Sequence, residues 1–346
     1  MYDLHGETVH FDVEHNRLLA LDQTELPQKT VVLALRTREE LFEAIQSLRV
    51  RGAPAIGVAA AIGLAVLANA SRQTEIPAFC AEVRENAAYL KAARPTAVNL
   101  PWALGEMEKV LSNGAKTVEA LKAALTSRAL ALHAADIEVC RRIGENGAPL
   151  LKNCRAVLTH CNAGRLAAVK YGTALAPIYT AKEQGHNIAV YADETRPLLQ
   201  GARLTAYELH EAGIDVTVLC DSAASYVLGS GKVQAVLVGC DRVAANGDTA
   251  NKIGTSGVAV LAQHYGIPFY VCAPFSTIDF SCASGADIPI ELRDDREIGT
   301  LWYQKKMLPD GVCALNPAFD VTSADLITAF ITEKGVIQPK ALAQYR

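Results

Sequence analysis

From residue 155 onward the chain repeats one rhythm: a short unbroken apolar run, a loop of polar and small residues, then a stretch with helical periodicity. The runs at 156–159, 188–191, 216–219, 235–238 and 269–272 are rich in Val and Ile, as expected of strands buried on both faces. The segments between them, such as 198–211 and 253–264, carry helical spacing and stop at Gly213 and Gly266, residues suited to ending a helix. Strands alternating with helices imply a parallel sheet with right-handed crossovers. This half of the chain is therefore predicted to form a doubly wound, Rossmann-like α/β domain.

The full length of 346 residues leaves room for a second domain ahead of it. Residues 8–35 alternate apolar and polar side chains in short runs around turn signals at His15-Asn16 and Leu26-Pro27, which predicts a small antiparallel sheet. Helical patterns follow at 38–50, 54–70, 76–92, 99–112 and 116–143, the last serving as the joint between domains. The predicted division is 1–130 for a smaller N-terminal domain of antiparallel strands and helices, and 131–346 for the Rossmann-like domain. The 53–70 stretch is apolar but interrupted by Pro54, Gly57 and Gly63, and reads as a buried helix rather than a bilayer span. The polar N-terminal residues do not read as a signal peptide. A net charge of −4 with interspersed signs gives no footprint for nucleic acid or an anionic membrane. None of the nine cysteines forms a CxxC or sits at zinc-ligand spacing, so they read as buried thiols of a reducing cytosol, which makes the expected location cytoplasmic.

In an open α/β sheet, ligands bind beyond the carboxyl ends of the strands. Four successive runs end in Thr159-His160-Cys161-Asn162-Ala163-Gly164, Asp193-Glu194-Thr195-Arg196, Asp221-Ser222 and Gly239-Cys240-Asp241-Arg242. Cys161 sits past a strand and before a helical segment, where amides and the helix dipole favour a thiolate. Asp241 also ends a strand, a position equally open to a capping or Arg242-pairing carboxylate. His160 reads as a core or orienting histidine, and Asp193 and Asp221 as caps or orienting carboxylates. No GxGxxG or GxxxxGK[ST] follows any strand, so a dinucleotide or triphosphate site of the usual kind is not expected. Two other helix starts could take an anion: Arg51-Gly52-Ala53-Pro54 and Asn251-Lys252-Ile253-Gly254-Thr255.

Seven blocks carry a resemblance: LDQTELP (21–27), RGAPAIGVAAAIG (51–63), ARPTAVNLPWAL (93–104), THCNAG (159–164), YADETRPLLQGARLTAYEL (191–209), GDTANKIGT (247–255) and NPAFDVTSADLITAFITEKGVI (316–337). Together they resemble the methylthioribose-1-phosphate isomerases, over nearly the whole chain and in order. The resemblance implies the two-domain fold above, with the active site at the strand carboxyl ends and the domain interface. It also implies a homodimer, a small-molecule sugar phosphate as substrate, and no metal or organic cofactor. The reaction implied is conversion of 5-methylthioribose 1-phosphate to 5-methylthioribulose 1-phosphate in methionine salvage. Carried over by motif, Cys161 and Asp241 match the catalytic pair. Arg51, Gly52, Ala53, Arg94, Gln200, Asn251 and Lys252 match substrate-binding positions.

Phosphate on C1 locks the sugar as a ring, so the ring oxygen must be protonated before isomerisation. Asp241 is expected to donate that proton, which calls for a pKa raised by a dry, apolar setting. Cys161 would then help move a proton from C2 to C1, a hydride shift being the alternative. Three departures from the family pattern flank the expected pocket: Cys240 in place of alanine, Asp221-Ser222-Ala223-Ala224 without an asparagine-methionine pair, and Ser256 in place of an aromatic. They leave open an isomerase of 5-deoxyribose 1-phosphate or ribose 1,5-bisphosphate. The regulatory subunits of the translation-initiation guanine-nucleotide exchange factor share the fold and give a non-enzymatic alternative, against which stands the joint presence of Cys161 and Asp241.

Overall fold

A computed structural model describes residues 4, 6–94, 99–112 and 114–345. The chain divides into two compact units. The first is Met1–Cys140 with Arg165–Gly172, and the second is Arg141–Gly164 with Thr173–Arg346.

The first unit opens with β1 (Val9–Asp12), β2 (Arg17–Leu21) and β3 (Val32–Leu35), an antiparallel sheet in that order. Along β1, Val9 and Phe11 are buried while His10 and Asp12 are not, the alternation of a sheet with one wet face. Five helices follow: α1 (Arg38–Gln46), α2 (Ala53–Ala70), α3 (Ile76–Lys91), α4 (Asn99–Lys109) and α5 (Val118–Gly147). Helix α1 starts at a reciprocal capping box, with Thr37 accepting from the Glu40 amide and Glu40 from the Thr37 amide. Among the described residues, α2 alone is long and apolar enough to cross a membrane by length and composition. Thirteen of its eighteen residues are buried in the protein core, and a helix apolar all round belongs there. The returning segment 165–172 is tied to this unit by three hydrogen bonds. Thr8 Oγ1 donates to the Arg165 carbonyl (2.8 Å), Gln23 Nε2 to the Leu166 carbonyl (2.7 Å), and the Val169 amide to Asp136 Oδ2 (2.8 Å).

The second unit follows the strand–helix rhythm: β4 (Ala156–His160), α6 (Ala176–Glu183), β5 (Ala189–Asp193), α7 (Ala206–Glu211), β6 (Val216–Leu219), α8 (Ala224–Gly229) and β7 (Ala235–Val238). Two short strands, β8 (Arg242–Ala244) and β9 (Thr249–Lys252), precede α9 (Thr255–His264) and β10 (Phe269–Cys272). Then come β11 (Ile278–Asp279), α10 (Arg296–Gly299), β12 (Phe319–Thr322), β13 (Ala329–Thr332) and β14 (Gly335–Ile337). The main sheet runs β14-β13-β10-β7-β4-β5-β6 and is parallel except for β14. Val157, Leu158, Val236, Leu237, Val238 and Val271 are fully buried, which explains their unbroken apolar runs.

The fold is thus α/β with a parallel-dominated Rossmann-like sheet and a smaller antiparallel sheet. In one respect the expectation fails. The 216–219 run reads as buried on both faces, yet β6 is the sheet edge and Val218 is 42% exposed. A second, four-stranded sheet, β11-β8-β9-β12, was not foreseen. Its strands span only two to four residues, too few for a period to register.

Candidate active site

Strand β4 lies between β7 and β5, with His160 opposite Val238 in parallel register. Cys161 is the residue after β4, and Asp241 is three residues beyond β7. The two therefore follow neighbouring strands at the same sheet end, and paired strands lie about 4.8 Å apart. Cys161 has a left-handed backbone (φ 66°) and is half-buried. Its amide donates to Thr195 Oγ1 at 2.8 Å, and its carbonyl accepts from Thr205 Oγ1 at 2.7 Å. The neighbouring Asn162 is buried, with Nδ2 donating to Thr205 Oγ1 (3.1 Å) and Glu208 Oε1 (2.5 Å). Glu208 Oε2 also accepts from the Tyr179 hydroxyl at 2.7 Å. Gly164 leaves the space this carboxylate fills: a Cβ there would lie 2.2 Å from Glu208 Oε1.

Asp241 is exposed, on the turn joining β7 to β8, with its amide donating to the Ala250 carbonyl at 2.9 Å. The dry setting expected around it is not what this chain provides, because the turn carries it off the buried sheet. Arg242 pairs instead with Asp279 (3.6 Å). The preceding Cys240 is a thiol of another kind: burial, with the Asp241 charge adding to it, pushes its pKa far up.

Behind these loops His160 and Asp193 are buried, with His160 Nδ1 2.9 Å from Asp193 Oδ2. His160 Nε2 faces the Ile253 carbonyl at 2.8 Å. A carbonyl only accepts, so Nε2 carries a hydrogen, and Nδ1 and the carboxyl share one further proton. Burial disfavours a lone carboxylate and pushes Asp193 up. Burial also opposes charge on His160, but the Asp193 contact outweighs it and raises the ring's pKa. Both shifts describe one event, loss of the shared proton, which is held to higher pH. Asp221 accepts the amides of Thr195 and Arg196, one per oxygen, both at 2.7 Å. His160, Asp193 and Asp221 bring possible ligand atoms together, as do Glu7, His10 and His133 in the first unit. In the first group His160 Nδ1, Asp193 Oδ2 and both Asp221 oxygens serve as hydrogen-bond partners that scaffold the loops, while Asp193 Oδ1 is buried without one.

Of the expected binding residues in this unit, Gln200 is 8% exposed and its Oε1 is buried without a hydrogen-bond partner. A buried amide oxygen in that state is suited to a ligand hydroxyl. Asn251 Nδ2 donates to Thr255 Oγ1 (3.0 Å), and Lys252 Nζ to the Ala318 carbonyl (3.0 Å). The α9 start is less open to an anion than its sequence suggests. Asp320 accepts from the Gly254 amide (2.8 Å) and the Ser256 amide (3.1 Å), capping the helix from 64 or more residues away.

In the first unit, Arg51 is half-buried and Gly52 caps α2 at φ 92° with no side-chain cap bond. Only glycine fits here, because a Cβ would lie 2.3 Å from the Ala167 carbonyl oxygen. Ala53 opens the helix, followed by Pro54, so this start retains uncapped amides of the kind that bind anions. Arg94 is half-buried; the four residues after it in the ARPTAVN motif lie outside the described residues.

The sequence profile of the initiation factor 2 subunit family matches residues 49–339. The chain belongs to this family. Among family relatives, a methylthioribose-1-phosphate isomerase of Symbiobacterium thermophilum is 58% identical over 334 residues, spanning 96% of this chain and 93% of the relative. A 5-deoxyribose 1-phosphate isomerase of Petrotoga mobilis is 56% identical, spanning 93% of each. The crystal structure of 5-methylthioribose 1-phosphate isomerase from Pyrococcus horikoshii superposes with a TM-score of 0.92 at 40% identity, covering 98% of this chain and 96% of that one.

Sequence reasoning missed Thr195 and Thr205 as the partners of Cys161, and Glu208 as the carboxylate behind Asn162. Thr195 lies in a strand-end loop that was singled out. Thr205 and Glu208 lie within the 191–209 block of the resemblance, but helical spacing gives neither a role.

Proposed function

We propose that the chain is an aldose–ketose isomerase converting 5-methylthioribose 1-phosphate to 5-methylthioribulose 1-phosphate in methionine salvage. The observation that carries this reading is the 58% identity, over nearly the whole chain, to a relative of that name. The strand-end placement of Cys161 and Asp241 supports it from separate grounds.

In the proposed reaction the Cys161 thiolate removes the C2 proton while the C1–O bond of the ring breaks. Its electron pair goes to the ring oxygen, which takes a proton from Asp241. A C1=C2 enol remains. Cys161 then returns its proton to C1, and the C2 hydroxyl gives its proton to the Asp241 carboxylate, leaving a C2 ketone. The balance is closed, with no oxidant or reductant consumed. Because Asp241 is exposed, the bound sugar must itself supply the shielding that an acid of this kind requires. The Gln200 amide oxygen is a partner for a sugar hydroxyl, and Asn251 and Lys252, at the end of β9, offer further polar groups to the substrate. Within the first unit by itself, Arg51, Gly52, Ala53 and Arg94 are cationic and amide donors of the kind that bind phosphate.

A second substrate, 5-deoxyribose 1-phosphate, is favoured by the 56% identity to the Petrotoga relative. It differs only at C5, remote from the reacting carbons, so one site would turn over both. Cytoplasmic location and a homodimer belong to the same reading. All nine cysteines are free thiols, which suits a reducing compartment. The test is turnover of 5-methylthioribose 1-phosphate, 5-deoxyribose 1-phosphate and ribose 1,5-bisphosphate, followed by the ketone carbon signal in NMR. Ketose is expected from the first two. Ketose from none of them would abandon the enzyme reading for a binding subunit of the same fold.

A further inference from the structure

Two buried threonine hydroxyls, from positions 34 and 44 residues further along the chain, grip the backbone of Cys161 from both sides. We propose that Thr195 and Thr205 are positioning residues that set the direction of the Cys161 thiol. The inference rests on Cys161 being the reacting thiol and adds what holds it in place.

The hydrogen-bond directions follow from what each group can do. A carbonyl only accepts, so Thr195 must spend its one hydroxyl hydrogen on the Asp193 carbonyl (3.0 Å). Its lone pairs are then what receive the Cys161 amide. Thr205 likewise spends its hydrogen on the Cys161 carbonyl, and its lone pairs receive Asn162 Nδ2. Neither hydroxyl can turn away without orphaning a group at a fully buried position, since both threonines are 0% exposed.

A cysteine at φ 66° occupies a region that residues with a Cβ rarely adopt, and it stays there only when its surroundings over-determine it. The two hydroxyls are that over-determination. Thr195 is itself left-handed (φ 64°), a rarer state still for a β-branched residue. The Asp221 carboxylate holds it so through the amides of Thr195 and Arg196. Thr205 closes the π-helical turn Gly201–Thr205, which directly follows Gln200. One set of bonds therefore fixes both the thiol's backbone and the turn next to Gln200. Were Cys161 in the extended or right-handed region, its Cβ would leave the strand end in another direction.

Valine has the shape of threonine without the hydroxyl, so Thr195→Val and Thr205→Val remove the grip, and the serine variants keep it. The readouts are kcat and KM on the isomerase substrate, and the alkylation rate of Cys161 by iodoacetamide from pH 6 to 10, resolved by peptide. Each valine variant is expected to lower kcat by at least about 10-fold with KM changed by less than about 3-fold, the pattern of a misaimed group. Cys161 alkylation should change by about 3-fold or more, while the exposed Cys220 and Cys313 react as in the wild type. Thr195→Ser and Thr205→Ser should restore both. Folded valine variants that alkylate Cys161 at the wild-type rate across this pH range would overturn the proposal. Should the valine variants fail to fold, amide exchange in the wild-type protein decides. The Cys161 amide must be strongly protected, and exchange as fast as in exposed loops would refute the grip. Normal turnover by Cys161→Ser would remove the thiol from the mechanism, yet alkylation and exchange would still report on the grip.

Discussion

At the scale of single residues, the backbone decides where side chains can act. Gly52 shows this in the first unit, where a positive φ and the Ala167 carbonyl together admit only glycine. Gly114, in the same unit, also has a positive φ (80°) but nothing within 4 Å of where a Cβ would stand. Gly114→Ala should therefore cost about 1 kcal/mol, the backbone term alone, whereas Gly52→Ala should cost about 3 kcal/mol or more because a backbone atom must shift as well. Urea unfolding of both variants checks this, and equal losses would show that the Ala167 contact relaxes freely. The strand-end placement of Cys161 and Asp241 is legible in the sequence. Their surroundings were not. Asp241 was expected in a dry pocket and is exposed. The Asn251–Thr255 segment reads as an open helix start, yet Asp320 caps it. Such partners come from far along the chain, and only the folded chain reveals a long-range hydrogen bond.

Elements with a strong period were readable and weak ones were not. The buried runs of β4, β7 and β10 announce themselves because both faces must be apolar. Strands β8, β9 and β11 are too short to show alternation, and Asn251 and Lys252 of β9 fall in the segment expected to start a helix. On α5, Asp136 illustrates a cost that helical periodicity does not reveal. Burial lifts its carboxyl to about 6 from an ordinary 3.8, even though the Val169 amide and His133 pull the other way. A folded-state pKa above the unfolded value means that this group's stabilising contribution is complete below about pH 3.8 and is lost as pH rises through 6. Asparagine keeps an oxygen for the Val169 amide without the half-buried charge. Asp136→Asn should therefore stabilise the first unit by on the order of 1–3 kcal/mol at pH 7.5 and by almost nothing near pH 4. Thermal melts at both pH values measure it, and a gain that does not depend on pH would exclude titration of Asp136 as the cause.

At the scale of the whole molecule, the candidate groups fall in two compact units. The first offers an arginine and an uncapped helix start, while the second carries the thiol, the exposed carboxylate and the scaffold of His160, Asp193 and Asp221 behind them. The protein is acidic overall, so recognition of an anionic sugar phosphate must be local rather than steered by net charge. The central claim is that Cys161 and Asp241 act on one sugar ring as base and acid. The most direct test is kcat of folded Cys161→Ser and Asp241→Asn on 5-methylthioribose 1-phosphate. A loss of at least about 10²-fold in each is predicted, the usual scale for an acid–base group, and turnover near the wild-type rate by either variant would contradict the account.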